Sequence, residues 1–199
     1  MTAETRVGLL SRADGSASYK TASCSVLASV NGPMEVRQRD ELLGEATLEL
    51  HIQPAVGLAS TSERDMEALL KAAVRPSLLL GLHPRSLVQV TVQVMVAGDV
   101  REALLAACIN VIALACIDAG LAMQHIPVGA HVELEAGSRH TVCYTFPGQS
   151  LVLLESAGQF RKEEVEEVER LALAAAQETY TVLEAQIRDK VEQDDRWQQ

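Results

Sequence analysis

The sequence predicts a mixed α+β fold, and three observations carry that expectation. Residues 46–53 and 87–96 alternate apolar and polar side chains with the period of a half-buried strand. Residues 100–119 are apolar nearly all round, as a buried helix is. About forty residues at the C-terminal end carry one apolar stripe at helical spacing. With 199 residues, 48% of them hydrophobic and 22% charged, the chain has apolar mass enough for one domain spanning 1–199.

Taken in order, residues 23–30 read as a short strand closed by the turn Asn31-Gly32-Pro33. In 46–53, Leu48, Leu50 and Ile52 share one face and Glu49 and His51 the other, and Pro54 stops the strand. Thr61 or Ser62 can cap a helix running to about Leu82, with Met66, Leu69, Leu70, Ala73 and Val74 as its stripe. Pro76 should kink or interrupt that helix. In 87–96, Val88, Val90, Val92, Val94 and Val96 face one way, and Gln89, Thr91 and Gln93 the other. Asp99 is placed to cap the apolar helix of 100–119, and Asp118-Ala119-Gly120 ends it, the glycine being free to turn left-handed. Weaker strands follow at 129–134, 140–146 and 151–155, separated by Ala136-Gly137-Ser138 and Pro147-Gly148. The final helix has the stripe Val165, Val168, Ala172, Ala175, Thr179, Leu183, Ile187 and Val191. Glu163, Glu164, Glu166, Glu167 and Glu169 crowd its start, where the helix dipole favours them, and read as a solvated face.

Composition narrows the function. Seventeen Lys and Arg against 27 Asp and Glu give a net charge of -10, which disfavours tight nucleic-acid binding by the chain alone. Aromatics are only 3%, leaving few platforms for stacked bases. The longest apolar run, 103–117, is broken by Asn110 and falls short of the roughly 20 residues a bilayer needs. The N-terminus lacks the apolar core of a signal peptide, so an intracellular protein is expected. Cys24, Cys108, Cys116 and Cys143 are scattered and fit small buried hydrophobes in a reducing compartment. His51, His83, His125, His131 and His140 show no metal-ligand spacing, and neither a metal nor a cofactor is expected.

Three blocks carry a resemblance. The stretch Ser11-Arg12-Ala13-Asp14-Gly15-Ser16-Ala17, followed by Ser25-Val26-Leu27-Ala28-Ser29-Val30-Asn31-Gly32-Pro33-Met34-Glu35, resembles the opening of RNase PH-type domains. Leu82-His83-Pro84-Arg85-Ser86 before an alternating strand is similar to the second block of that family, and Ala113-Leu114-Ala115-Cys116-Ile117-Asp118-Ala119-Gly120 to its third. Within the family, the chain most resembles the short, non-catalytic RNase PH-like ring subunits of the eukaryotic RNA exosome. The resemblance implies an RNase PH-type fold: two β-sheets, two central helices and a long C-terminal amphipathic helix. It also implies partners, namely other RNase PH-like subunits in a hexameric ring, RNA-binding cap subunits, and single-stranded RNA in the channel. The location it implies is nucleus and nucleolus, with cytoplasm.

Active family members release nucleoside diphosphates by phosphate attack at an RNA 3′ end, which needs cations for phosphate and carboxylates for a metal or proton transfer. Their Asp-Gly-Gly-Thr-Arg at the start of the central helix aligns with Arg101-Glu102-Ala103-Leu104-Leu105 here, so Thr-Arg becomes Leu104-Leu105 and a carboxylate stands beside the site. A register using Gly98-Asp99-Val100-Arg101 restores an arginine but requires a shift inside a helix. No Asp occurs between Asp118 and Asp189, leaving Glu133 and Glu135 as the carboxylates of that region. Lys71 and Arg75 fall near the family's phosphate-contacting arginine. For RNA, the resemblance points first to Arg64, after the pore-side loop, and then to Arg37 and Arg39. The leading expectation is a non-catalytic ring subunit. The alternative is a homodimeric phosphate-dependent nuclease using Lys71, Arg75, Arg101 and Glu133 or Glu135, which requires those groups to converge on one phosphate-sized volume.

Overall fold

The computed structural model describes residues 3–134 and 137–197. Five strands form the first sheet: β1 (Glu4–Val7), β2 (Gly15–Lys20), β3 (Ser25–Glu35), β4 (Thr47–Gln53) and β5 (Ser86–Val96). Their order is β1-β2-β3-β5-β4. All neighbours are antiparallel except β4 and β5, which are joined by a crossover through helix α1 (Thr61–Val74). Helix α2 (Arg101–Asp118) follows β5, and a meander of β6 (Ile126–Glu133), β7 (Arg139–Phe146) and β8 (Ser150–Ala157) makes the second sheet. Helix α3 (Lys162–Trp197) closes the chain, packing on β6, β7 and β1.

The central helix explains the architecture. α2 packs on β2 and β3 on one side and on β6 and β7 on the other, so every residue from Leu104 to Cys116 is buried. A helix between two sheets has no solvated face, hence its nearly uniform apolarity. Its one interior polar side chain is satisfied: Asn110 Nδ2 donates to the Gly129 carbonyl at 2.9 Å, and Gly129 N donates to Asn110 Oδ1 at 2.8 Å. Gly129 permits that approach, because a Cβ there would lie 2.8 Å from the Ala106 carbonyl oxygen.

The residues of the sequence blocks fasten these layers. Asp14 Oδ2 accepts from Gly32 N at 2.8 Å, tying the β1–β2 loop to β3. Gly15 lies against the end of α2, where a Cβ would meet Ala119 N at 2.3 Å. Asp118 Oδ2 accepts from Ser16 N at 2.8 Å, and its other oxygen pairs with Lys190 of α3. One carboxylate thus joins β2, α2 and α3.

Several elements differ from the sequence expectation. β1 and β2 were not expected: Gly15, Ser16 and Ala17 are all buried, small because α2 lies on them, and so show no strand alternation. β3 runs on through Asn31-Gly32-Pro33, its register with β5 shifting between Asn31 and Met34, instead of turning there. The cap of α1 is Ser60, not Thr61 or Ser62; Ser60 and Glu63 form a capping box. Pro76 does interrupt the helical run, which breaks into 3₁₀ turns at Arg75–Ser77 and Leu80–Leu82. Asp99 does not cap α2; Val100 takes that position without a side-chain bond. Val96 and Val191, expected on apolar faces, are 55% and 53% exposed, each lying past the end of the core its element covers. All four cysteines are free and buried, as expected.

Candidate functional site

The site the sequence singles out is the N-terminus of α2. Val100 supplies no side-chain cap, so the first turn, at the positive end of the helix dipole, has no N-cap hydroxyl or carboxamide. Arg101, at that turn, forms an ion pair with Asp65 of the N-terminal half of α1. Glu102 is 8% exposed. Its Oε2 has no hydrogen-bond partner among the described residues, and Arg139 Nη1 stands 3.8 Å away. The Glu102 carbonyl accepts from Thr141 Oγ1 at 2.7 Å, so β7 holds the turn in place.

The strand ends beside this turn add further charges. Glu133 and Arg139 face each other across the β6–β7 register. His131 is held below the ordinary imidazole range by burial, against the pull of the His140 carbonyl and of Glu133 and Glu102. His140 is also lowered, by burial first and then by His131. Its ring nitrogens lie 2.8 Å from Ser156 Oγ and 3.1 Å from Ser138 Oγ, and Phe160 meets it edge-on at 5.1 Å. Glu63 sits lower than an ordinary carboxylic acid because Ser60 hydrogen-bonds to it, with Arg101 contributing least. A cavity of about 560 Å³ opens alongside, with Ala103, Ala106 and Ala107 among its walls and Tyr19, His131 and Thr179 among its polar groups.

The sequence candidates do not all meet here. Leu104 and Leu105 are turned into the core at 9% and 1% exposure, so neither position presents a polar group. Arg75 lies at the opposite end of α1 from Asp65, roughly 15 Å along the axis by helical rise, and pairs with Glu45 before β4. Arg75 and Arg101 therefore do not share a phosphate-sized volume. Lys71 is exposed and forms no ion pair among the described residues. Glu133 is exposed at the rim; Glu135 lies outside the described residues. Arg64 is exposed on the first turn of α1, near the C-terminal ends of β4 and β5. Arg37 and Arg39 follow β3 at the other end of the sheet, where Glu35 faces Ser86. Eleven-residue strands separate the two ends by roughly 33 Å, so these arginines form no single patch. Arg39 is paired with Asp40 at 3.0 Å.

Sequence reasoning missed Asp65, Glu45 and Arg139, the ion-pair partners. Only the last had a signal, since pairing the two strands on either side of the expected turn brings Arg139 opposite Glu133.

Comparison with known proteins matches residues 2–122 to the model of the 3′ exoribonuclease family, domain 1, of RNase PH. That is more than half of the chain. The chain belongs to the RNase PH family. Among RNase PH relatives, the exosome complex component rrp46 of Schizosaccharomyces pombe is 34% identical over 179 residues, covering 80% of this chain and 77% of the relative. The exosome complex component RRP46 of Saccharomyces cerevisiae is 28% identical, covering 96% and 97%. Among solved structures, rice Rrp46 superposes with a TM-score of 0.85 at 24% identity, covering 94% of each chain. A chain of an archaeal exosome core gives 0.75 at 13% identity, covering 92% of this chain and 86% of that one. The fold is thus the RNase PH-type α+β fold that the three sequence blocks implied, with two sheets and the long C-terminal helix.

Proposed function

We propose that this chain is a non-catalytic ring subunit of an RNA exosome, pairing with other RNase PH-like subunits and supporting 3′-to-5′ RNA processing and decay. Membership of the family and likeness to proteins named as exosome components support the assembly part of the reading. The observation that carries the non-catalytic part is the state of the cations. Arg75 and Arg101 are each matched to a carboxylate of the chain itself, while Leu104 and Leu105 are buried where an active member has Thr-Arg. A phosphate would have to displace internal partners at positions that do not converge.

In this reading, Arg64 touches RNA at the channel from a subunit that need not be basic, because its neighbours supply most of the positive potential. The complex works in the nucleus, nucleolus and cytoplasm. The test is phosphorolysis. Purified chain is incubated with single-stranded RNA and magnesium, with and without inorganic phosphate, and 3′-end shortening is followed. No phosphate-dependent shortening is expected, and co-purification should recover other RNase PH-like subunits. Release of nucleoside diphosphates would overturn the non-catalytic reading; isolation without any such subunit would overturn the ring assignment.

A further inference from the structure

We propose that Glu102 is an internal anion that closes the N-terminus of α2 to inorganic phosphate. The inference rests on the non-catalytic reading above and supplies a physical cause for it. α2 is 18 residues long and starts without a side-chain cap. Its first turn therefore offers N–H groups and dipole charge to an anion. Two guanidinium groups flank that turn, and each already faces a carboxylate of the chain: Arg101 faces Asp65 and Arg139 faces Glu102.

Glu102 is the more telling of the two carboxylates. It is buried, yet Oε2 has no hydrogen-bond partner among the described residues, and the 3.8 Å to Arg139 Nη1 exceeds the length of a charge-assisted hydrogen bond. A buried carboxylate so poorly bonded is costly unless its charge serves its surroundings. Here the surroundings are the positive helix end and an arginine, the groups that would otherwise hold a tetrahedral oxyanion. With Glu102 in place, an entering phosphate meets a like charge in a desolvated position and lacks a free guanidinium. Removing the charge but not the volume reverses both conditions.

The test compares wild type with Glu102→Gln and Glu102→Ala, using ³¹P line broadening of inorganic phosphate and thermal unfolding in phosphate against chloride at matched ionic strength. Wild type should show neither broadening nor a phosphate-specific shift. A folded Glu102 variant should broaden the phosphate line, and its Tm should rise by about 3–6 °C at a phosphate concentration about ten times Kd. Adding Arg139→Gln to Glu102→Gln should abolish both effects. Equal responses from wild type and variants would overturn the closing role. Silence from the folded variants would also overturn it, while leaving the non-catalytic reading intact. Phosphorolysis by wild type would instead remove the reading beneath.

Discussion

Replacing Asp118 by alanine tests whether the Asp-Ala-Gly block is a structural fastening. The Asp118 side chain is 5% exposed. It accepts from Ser16 N at 2.8 Å and pairs with Lys190, whose side chain is 31% exposed. Truncation leaves the buried Ser16 N–H without its acceptor, a loss of about 1–3 kcal/mol. The Lys190 contribution, partly screened by water, adds at most about 1 kcal/mol. For a chain of 199 residues, a total near 3 kcal/mol lowers Tm by about 6–12 °C. Differential scanning calorimetry of Asp118→Ala, Lys190→Ala and the double variant measures it. In the alanine background the lysine substitution should cost almost nothing further, because its partner is already gone. A Tm for Asp118→Ala within about 2 °C of wild type, or additive losses in the double variant, would refute the fastening role.

Three further outcomes are expected. Gly129→Ala would bring a methyl group to 2.8 Å from the Ala106 carbonyl oxygen, and should destabilise by about 1–3 kcal/mol as read from denaturant midpoints. His131 and His140 are both lowered from 6.5 in the fold, so the unfolded chain binds protons first. Stability should therefore fall as pH drops below about 6.5, until the lowered values are passed; a Tm that is flat or rising from pH 7.5 to 5.5 would contradict this. Burial pushes the thiols of Cys108, Cys116 and Cys143 up to about 12. Iodoacetamide at pH 8 should therefore leave all three unmodified in native protein and label them in denaturant, with mass spectrometry to locate the adducts.

The legible parts of the fold are those where burial is one-sided or complete. β4 and β5 bury alternate residues, and that pattern is written directly into Leu48-Glu49-Leu50 and Val90-Thr91-Val92. α2 is legible for the opposite reason, being enclosed all round. β2 is illegible because its buried residues are small: Gly15, Ser16 and Ala17 are chosen for the closeness of α2, not for their own hydrophobicity. The candidate site divides the same way. Arg101, Glu102, Leu104 and Leu105 could be found by position along the helix. That Asp65 neutralises Arg101, or that Glu45 holds Arg75, depends on how α1 crosses between β4 and β5, and no local pattern encodes it.

The clasp between β1 and α3 has a consequence for biosynthesis. Thr5 Oγ1 donates to Gln186 Oε1 across a separation of 181 residues, and Lys190 reaches back to Asp118. β1 and one face of β6 are both covered by α3. A chain that has emerged only as far as β8 thus leaves uncovered the apolar surface on both sheets that α3 packs against. The two sheets are therefore covered only once α3 has been synthesised and docked, and contacts this distant in sequence form slowly.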